Sequence, residues 1–197
     1  METGINLTEP EKLVDMSDCY SKLNSLIEMS ALPKHLQSVD PSYVKPNILN
    51  LCNHLHDFQH GIIFLTGMGQ GKTTNAAAIL LSYMHWKRYS QTIDNIGFYV
   101  SALELCRRND YRFDEQLESL LRKIMNSQCV VIDGVPNYMT LKDEQLIAEI
   151  YEKRLYADGI TIFTSSMVPD VTLNSSAYVG SVITRISANC KLKEVFT

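Results

Sequence analysis

The sequence has no paired cysteines. Cys19, Cys52, Cys106, Cys129 and Cys190 are odd in number and scattered, and none forms a C-x-x-C pair. That excludes the common zinc frameworks and a disulfide scaffold, and it fits a reducing compartment. No apolar run approaches the roughly 20 residues needed to span a bilayer, and the N-terminus, which carries Glu2, has no apolar signal core. The expectation is a cytoplasmic protein without a membrane partner. Positive charge is not in surplus either: 18 Lys and Arg stand against 22 Asp and Glu, a formal net charge of −4. This argues against a protein that coats nucleic acid, though it leaves room for a local basic stripe. Internal repeats and low-complexity tracts are missing as well. What remains is an ordinary composition, 45% hydrophobic and 20% charged over 197 residues. It suffices for one ample core and one main domain with a small appendage.

The chain is organised around residues 61–81, GIIFLTGMGQGKTTNAAAILL. A β-branched apolar run, a glycine-rich turn and a lysine opening an alanine-rich helix follow one another, which is the layout of a phosphate cradle. Gly67, Gly69 and Gly71 permit positive φ and let successive backbone N–H groups curl around phosphate oxygens. Lys72 then reaches the β- and γ-phosphates as a point charge, and Thr73 has the hydroxyl that the pattern G-x-x-x-x-G-K-[ST] uses on Mg²⁺. The helix N-terminus aims its unsatisfied N–H groups at the same anion. Counting back from Gly71 puts Thr66, not glycine, at the first position. The expected nucleotide-binding residues are Thr66, Gly67, Met68, Gly69, Gln70, Gly71, Lys72, Thr73 and Thr74. A glycine-rich hairpin turn is the competing reading, but a strand over 62–64 and a helix over 75–86 give the context of a phosphate loop.

Upstream, Thr8-Glu9-Pro10-Glu11 reads as a capping box, and Leu13, Met16, Tyr20, Leu23 and Ile27 recur at helical spacing. This predicts an amphipathic helix to about residue 29, its stripe serving core packing or partner docking. A second helix is predicted from near Pro46, with Ile48, Leu51, Cys52 and Leu55 on one face. His54, His56 and His60 read as solvated histidines rather than a metal site. Downstream, a strand over 96–100 leads through Ser101, as N-cap, into a helix to Arg107. Residues 114–126 form an amphipathic helix feeding Cys129-Val130-Val131-Ile132-Asp133. An all-apolar strand that ends in aspartate is the second half of a phosphate-loop site, its carboxylate emerging where ligands bind in parallel sheets. A helix over 142–156, a strand over 160–165, a helix over 175–188 containing Arg185, and a strand over 192–196 complete the chain. Five strands alternating with helices predict an α/β, doubly wound parallel sheet.

With the phosphate loop, Asp133, Thr164-Ser165-Ser166 and Arg185 in that order, the chain resembles the AAA+ ATPase domain of bacterial and phage helicase loaders of the DnaC/DnaI type. It is also similar to their relative, the IstB transposition ATPase. The likeness runs over about residues 32–196 and includes Leu32-Pro33-Lys34-His35. It implies a P-loop NTPase fold of the AAA+ (ASCE) type with sheet order 5-1-4-3-2, residues 31–197 as the ATPase domain and residues 1–30 as a helical segment for partner docking. It implies ATP and Mg²⁺ as cofactors, Lys72 and Thr73 in the Walker A roles, and Asp133 in the Walker B role, holding Mg²⁺ through water. Ser166 falls at the sensor position, and Arg185 matches the arginine finger that a neighbouring subunit offers in trans, which implies self-association. Two departures stand out. No C-terminal lid follows the last strand, and Gly134 replaces the glutamate that polarises the attacking water, so the expected turnover is slow.

Three functions follow as expectations. The leading one is a helicase loader, its short form pointing to a phage origin, that engages the replicative DNA helicase and helps place it on single-stranded DNA, with Arg107, Arg108 and Arg112 as a DNA-contact cluster whose competing reading is a solvated charged face. The second is an IstB-like ATPase on duplex DNA, and the third a small-molecule P-loop kinase, against which stands the lack of an arginine-bearing lid.

Overall fold

The computed structural model describes residues 16–58, 60–89, 95–110, 114–167 and 181–197. The strands are β1 (Gly61–Thr66), β2 (Gly97–Ser101), β3 (Cys129–Val135), β4 (Ile160–Ser165) and β5 (Leu192–Val195). They form one sheet in the order β2-β3-β4-β1-β5, parallel throughout, which is the predicted 5-1-4-3-2 read from the other edge. The helices are α1 (Met16–Met29), α2 (Pro46–Asn53), α3 (Lys72–Lys87), α4 (Ala102–Asn109), α5 (Glu115–Asn126), α6 (Leu141–Leu155) and α7 (Val182–Asn189).

Strand alternation divides the core into two layers. Ile63, Leu65, Val131 and Ile162 face α1, α2 and α3, whereas Ile62, Phe64, Val130 and Ile132 face the residues of α4–α7. Because both faces are covered, β1 and β4 are buried along their whole length; β1 reads as a near-continuous apolar run, while β4 also buries Thr161, Thr164 and Ser165. Of the predicted α1 stripe, Leu23 and Ile27 pack into the first layer beside the buried Leu26, whereas Tyr20 faces outward. The last turn of α1 also covers the sheet edge: the Tyr99 N–H of β2 donates to the Ser30 carbonyl at 2.7 Å.

Local chemistry sets the helix starts. Asp114 accepts from the N–H groups of Gln116 and Leu117, Thr140 from Asp143 and Ser181 from Thr184. Ser101 stands at the predicted N-cap position of α4, in extended conformation, but its side chain makes no capping bond. The capping box at Thr8–Glu11 and the first part of the helix predicted over 175–188 lie outside the described residues; α7 begins at Val182. Beyond Asp133, β3 runs on to Val135 through a register shift against β4, with Gly134 at φ +73°. A β-bulge with glycine in the left-handed region accounts for that shift.

Candidate nucleotide and metal site

The loop between β1 and α3 sits at the carboxyl ends of the strands. Gly67 and Gly71 adopt φ of +109° and +96°, conformations that the absence of a Cβ makes accessible, and Gly71 caps α3. Lys72 folds back along the loop, donating to the Gly67 and Gly69 carbonyls at 2.6 Å each. Burial holds its ammonium below the usual lysine range, while the charge of Asp133 works in the opposite direction.

Asp133 is the hub of the site. Thr73 Oγ1 faces both carboxylate oxygens, at 2.9 and 3.1 Å. Thr164 donates to Oδ1 at 2.7 Å and Tyr99 to Oδ2 at 2.8 Å. Thr164 in turn accepts the Gly134 N–H at 2.7 Å. Burial first, and the charge of Asp133 second, raise the Tyr99 phenol well above the ordinary tyrosine value, so it stays a neutral donor. The oxygen donors Thr73 and Asp133 fit a hard divalent ion. Among the described residues no cluster of three or more His, Cys, Asp or Glu offers a complete protein cage. Mg²⁺ fits such a site, since it takes one or two protein ligands and completes its shell with phosphate and water.

The segment after β5 closes over the loop. The Phe196 N–H donates to the Thr66 carbonyl at 2.7 Å, and the Gly69 N–H to the Phe196 carbonyl at 3.0 Å. The Thr66 hydroxyl bonds to the Met167 carbonyl. The Phe196 ring is 3% exposed, with the Lys45 ammonium 4.2 Å from its centroid. Asn75, buried in α3, ties loop to flank: its amide donates to the Gly71 carbonyl at 2.8 Å and accepts the Lys45 N–H at 2.8 Å. Beside the loop, a cavity of about 530 Å³ opens between His35, Leu36, Val39 and Tyr43 on one side and Gln70 and Thr74 on the other. A Cβ on Gly67 would collide with the Phe196 carbonyl at a left-handed φ. Gly67→Ala is therefore expected to destabilise the fold by ~1–3 kcal/mol, read as a lowered urea midpoint.

The structure brings the loop, Lys72, Thr73 and Asp133 together but leaves two predicted residues outside that cluster. Ser166 is exposed and donates to Asn137 at 3.1 Å, while Thr164 occupies the place beside Asp133. Arg185 lies on α7 and pairs with Glu152 of α6 at 2.6 Å, its buried Nε having no hydrogen-bond partner among the described residues. Of the basic cluster, Arg107 is exposed, Arg108 is held by Glu104 at 3.1 Å and Asp114 at 3.6 Å, and Arg112 lies outside the described residues. Tyr99, Asn75 and Phe196 were not singled out from sequence. Pairing β2 with β3 is the signal for Tyr99, since it aligns with Val131, two residues before Asp133.

No protein-family model matches the sequence, and no curated protein does. Solved structures do. A proposed primosome component from Streptococcus pyogenes serotype M3 superposes with a TM-score of 0.60 at 15% identity, over 88% of this chain and 96% of that one. DnaI gives 0.55 at 18% identity, over 71% and 78%. The DnaC helicase loader gives 0.54 at 18% identity, over 77% and 86%. The fold is that of the AAA+ P-loop proteins. Gly134 follows Asp133 near the end of β3, and among the described residues nothing lies within 4 Å of where its Cβ would stand. No side chain of its own fills the space where the loader resemblance implies a glutamate.

Proposed function

We propose that this chain is an ATP-dependent helicase loader. It binds ATP with Mg²⁺, hydrolyses it slowly, and uses nucleotide state to engage the replicative DNA helicase and help place it on single-stranded DNA. The observation that carries the nucleotide half is the convergence of the glycine loop, Lys72, Thr73 and Asp133 at one end of the sheet. The loader half is supported by the fold shared with DnaI and the DnaC helicase loader.

In this reading the loop N–H groups and Lys72 bind the phosphates, and the cavity beside His35 and Tyr43 takes the nucleoside. Thr73 and Asp133 hold Mg²⁺, which supplies neutralisation of charge on the phosphate oxygens. Gly134 brings no carboxylate to orient a water, so steady-state turnover of the isolated protein is expected below ~1 s⁻¹, under the usual enzyme median; tens per second in a phosphate-release assay would overturn that assignment. Arg185 acts in trans on a neighbouring subunit after leaving Glu152, which makes self-association part of the function. Residues 31–197 form the ATPase unit and residues 1–30 the helicase-docking segment. On α1, the buried stripe packs on the core while Tyr20 and Met29, 64% and 50% exposed, face outward.

ATP shifts the loader between states only through unequal affinity for them. Light scattering of the protein with its host's replicative helicase, with and without ATP and with Lys72→Ala, tests this directly. A complex that depends on ATP and on Lys72 is expected. No complex under any condition would overturn the loader reading, and filaments on duplex DNA or phosphorylation of a nucleoside would then identify the replacement.

A further inference from the structure

Tyr99 stands in the middle of β2, the edge strand on the Asp133 side of the sheet, and its backbone is fixed from both flanks. One flank is the parallel ladder to β3, where it aligns with Val131. The other is the end of α1, whose buried Ser30 accepts the Tyr99 N–H at 2.7 Å. Ser30 is itself locked in place, its hydroxyl donating to the Ile27 carbonyl at 2.7 Å and its N–H to the Leu26 carbonyl at 3.0 Å.

From this fixed base the side chain lies on the same face of the sheet as Asp133, on the diagonal to it, a reach that a long aromatic side chain spans. The phenol donates to Oδ2 at 2.8 Å while Thr164, on β4 at the other side of β3, donates to Oδ1 at 2.7 Å. Each carboxylate oxygen is thus held by a hydroxyl from a neighbouring strand. A carboxylate offers about four lone-pair positions, so two lateral bonds fix its plane and leave acceptor capacity for Thr73 and for a metal-bound water.

We propose that Tyr99 is a positioning residue of the metal site, holding the Asp133 carboxylate in the orientation that Mg²⁺ requires and tying that orientation to the end of α1. The assignment rests on the nucleotide reading above. Outer-shell partners of this kind are worth roughly 10–100-fold in metal affinity, and removing the hydroxyl alone isolates the effect.

The experiment is Mg²⁺ titration of the binding of a fluorescent ATP analogue to the full chain, comparing the unsubstituted protein, Tyr99→Phe and Tyr83→Phe. Tyr83 is a buried tyrosine away from the site, on α3, bonded to Gln128 at 3.2 Å, and serves as the control for loss of a hydroxyl elsewhere. Tyr99→Phe is expected to raise the Mg²⁺ midpoint about tenfold, with Mg²⁺-free nucleotide affinity unchanged and Tyr83→Phe at the unsubstituted midpoint. A Tyr99→Phe midpoint within twofold of the unsubstituted protein overturns the proposal. So does an equal weakening with and without Mg²⁺, which would make Tyr99 a structural residue only. If the unsubstituted protein binds no nucleotide, the nucleotide reading itself falls, and this assignment with it.

Discussion

Lys72→Ala is expected to lower nucleotide affinity by at least a hundredfold while leaving the fold intact. The ammonium makes its hydrogen bonds to two loop carbonyls, Gly67 and Gly69, and it packs into neither core layer. Its removal therefore leaves both core layers intact. The bound state loses far more. Burial works against the charge, and the nearest counter-charge, Asp133, only partly offsets that effect, so phosphate oxygens are better partners than the carbonyls Lys72 rests on. Hydrogen bonds to charged groups contribute about 1.5–3 kcal/mol each, and losing two of them corresponds to at least two decades of affinity at 1.4 kcal/mol per decade. Titration with a fluorescent ATP analogue, alongside a urea melt, checks both halves. An affinity within threefold of the unsubstituted protein would remove Lys72 from the site. Lys72→Arg is expected to fail similarly, since a planar guanidinium does not replace a compact ammonium between two carbonyls.

The features that were legible in the sequence are those set by local chemistry. The apolar runs of β1 and β3, the glycines between β1 and α3, and the aspartate near the end of β3 are contiguous signals, and with the alternation of strands and helices they point to a parallel α/β sheet, whereas its strand order came only with the family resemblance. What stayed hidden depends on pairing across strands. Tyr99 reads as an ordinary strand aromatic until β2 is placed beside β3. Phe196 reads as a strand-ending apolar residue until β5 is placed beside β1, when its carbonyl meets the Gly69 N–H. Thr164 and Ser166 are two apart and would share a face in a continuous strand. β4 ends at Ser165, however, and Ser166 turns out of the alternation toward Asn137. The α1 stripe was ambiguous for a different reason: packing and docking demand the same periodicity, and the structure divides it, Leu23 and Ile27 lying against the core beside Leu26 while Tyr20 faces outward.

Arg154→Met is expected to destabilise the protein by ~2–4 kcal/mol without altering nucleotide affinity in the folded fraction. Arg154 lies in the last turn of α6, where a basic residue commonly complements the helix dipole from solvent. Instead it is 1% exposed. Its guanidinium donates from Nε to Thr161 Oγ1 at 2.8 Å, from Nη1 to the Ser127 carbonyl at 2.8 Å and from Nη2 to the Ile160 carbonyl at 3.3 Å. One side chain thus joins the ends of α5 and α6 to the start of β4. No carboxylate pairs with it among the described residues. Burial pushes its pKa down, yet arginine remains protonated, so neutral oxygens alone compensate the charge. Methionine relieves that desolvation but leaves buried acceptors without donors, each costing about 1–3 kcal/mol. The relief makes the net loss smaller than the sum of the bonds. Arg154→Lys separates the two effects: an ammonium keeps the buried charge and replaces a fixed fork with a single point of contact, so it is expected to be at least as destabilising as methionine. Urea denaturation of both variants decides the matter, and a methionine variant within ~0.5 kcal/mol of the unsubstituted protein, the range of an ordinary surface substitution, would show that the network does not stabilise the fold. Thr161 opens β4 and Thr164 stands near its other end, about 10 Å further along at the rise of a strand, which is why loss of stability and loss of nucleotide binding are expected to separate.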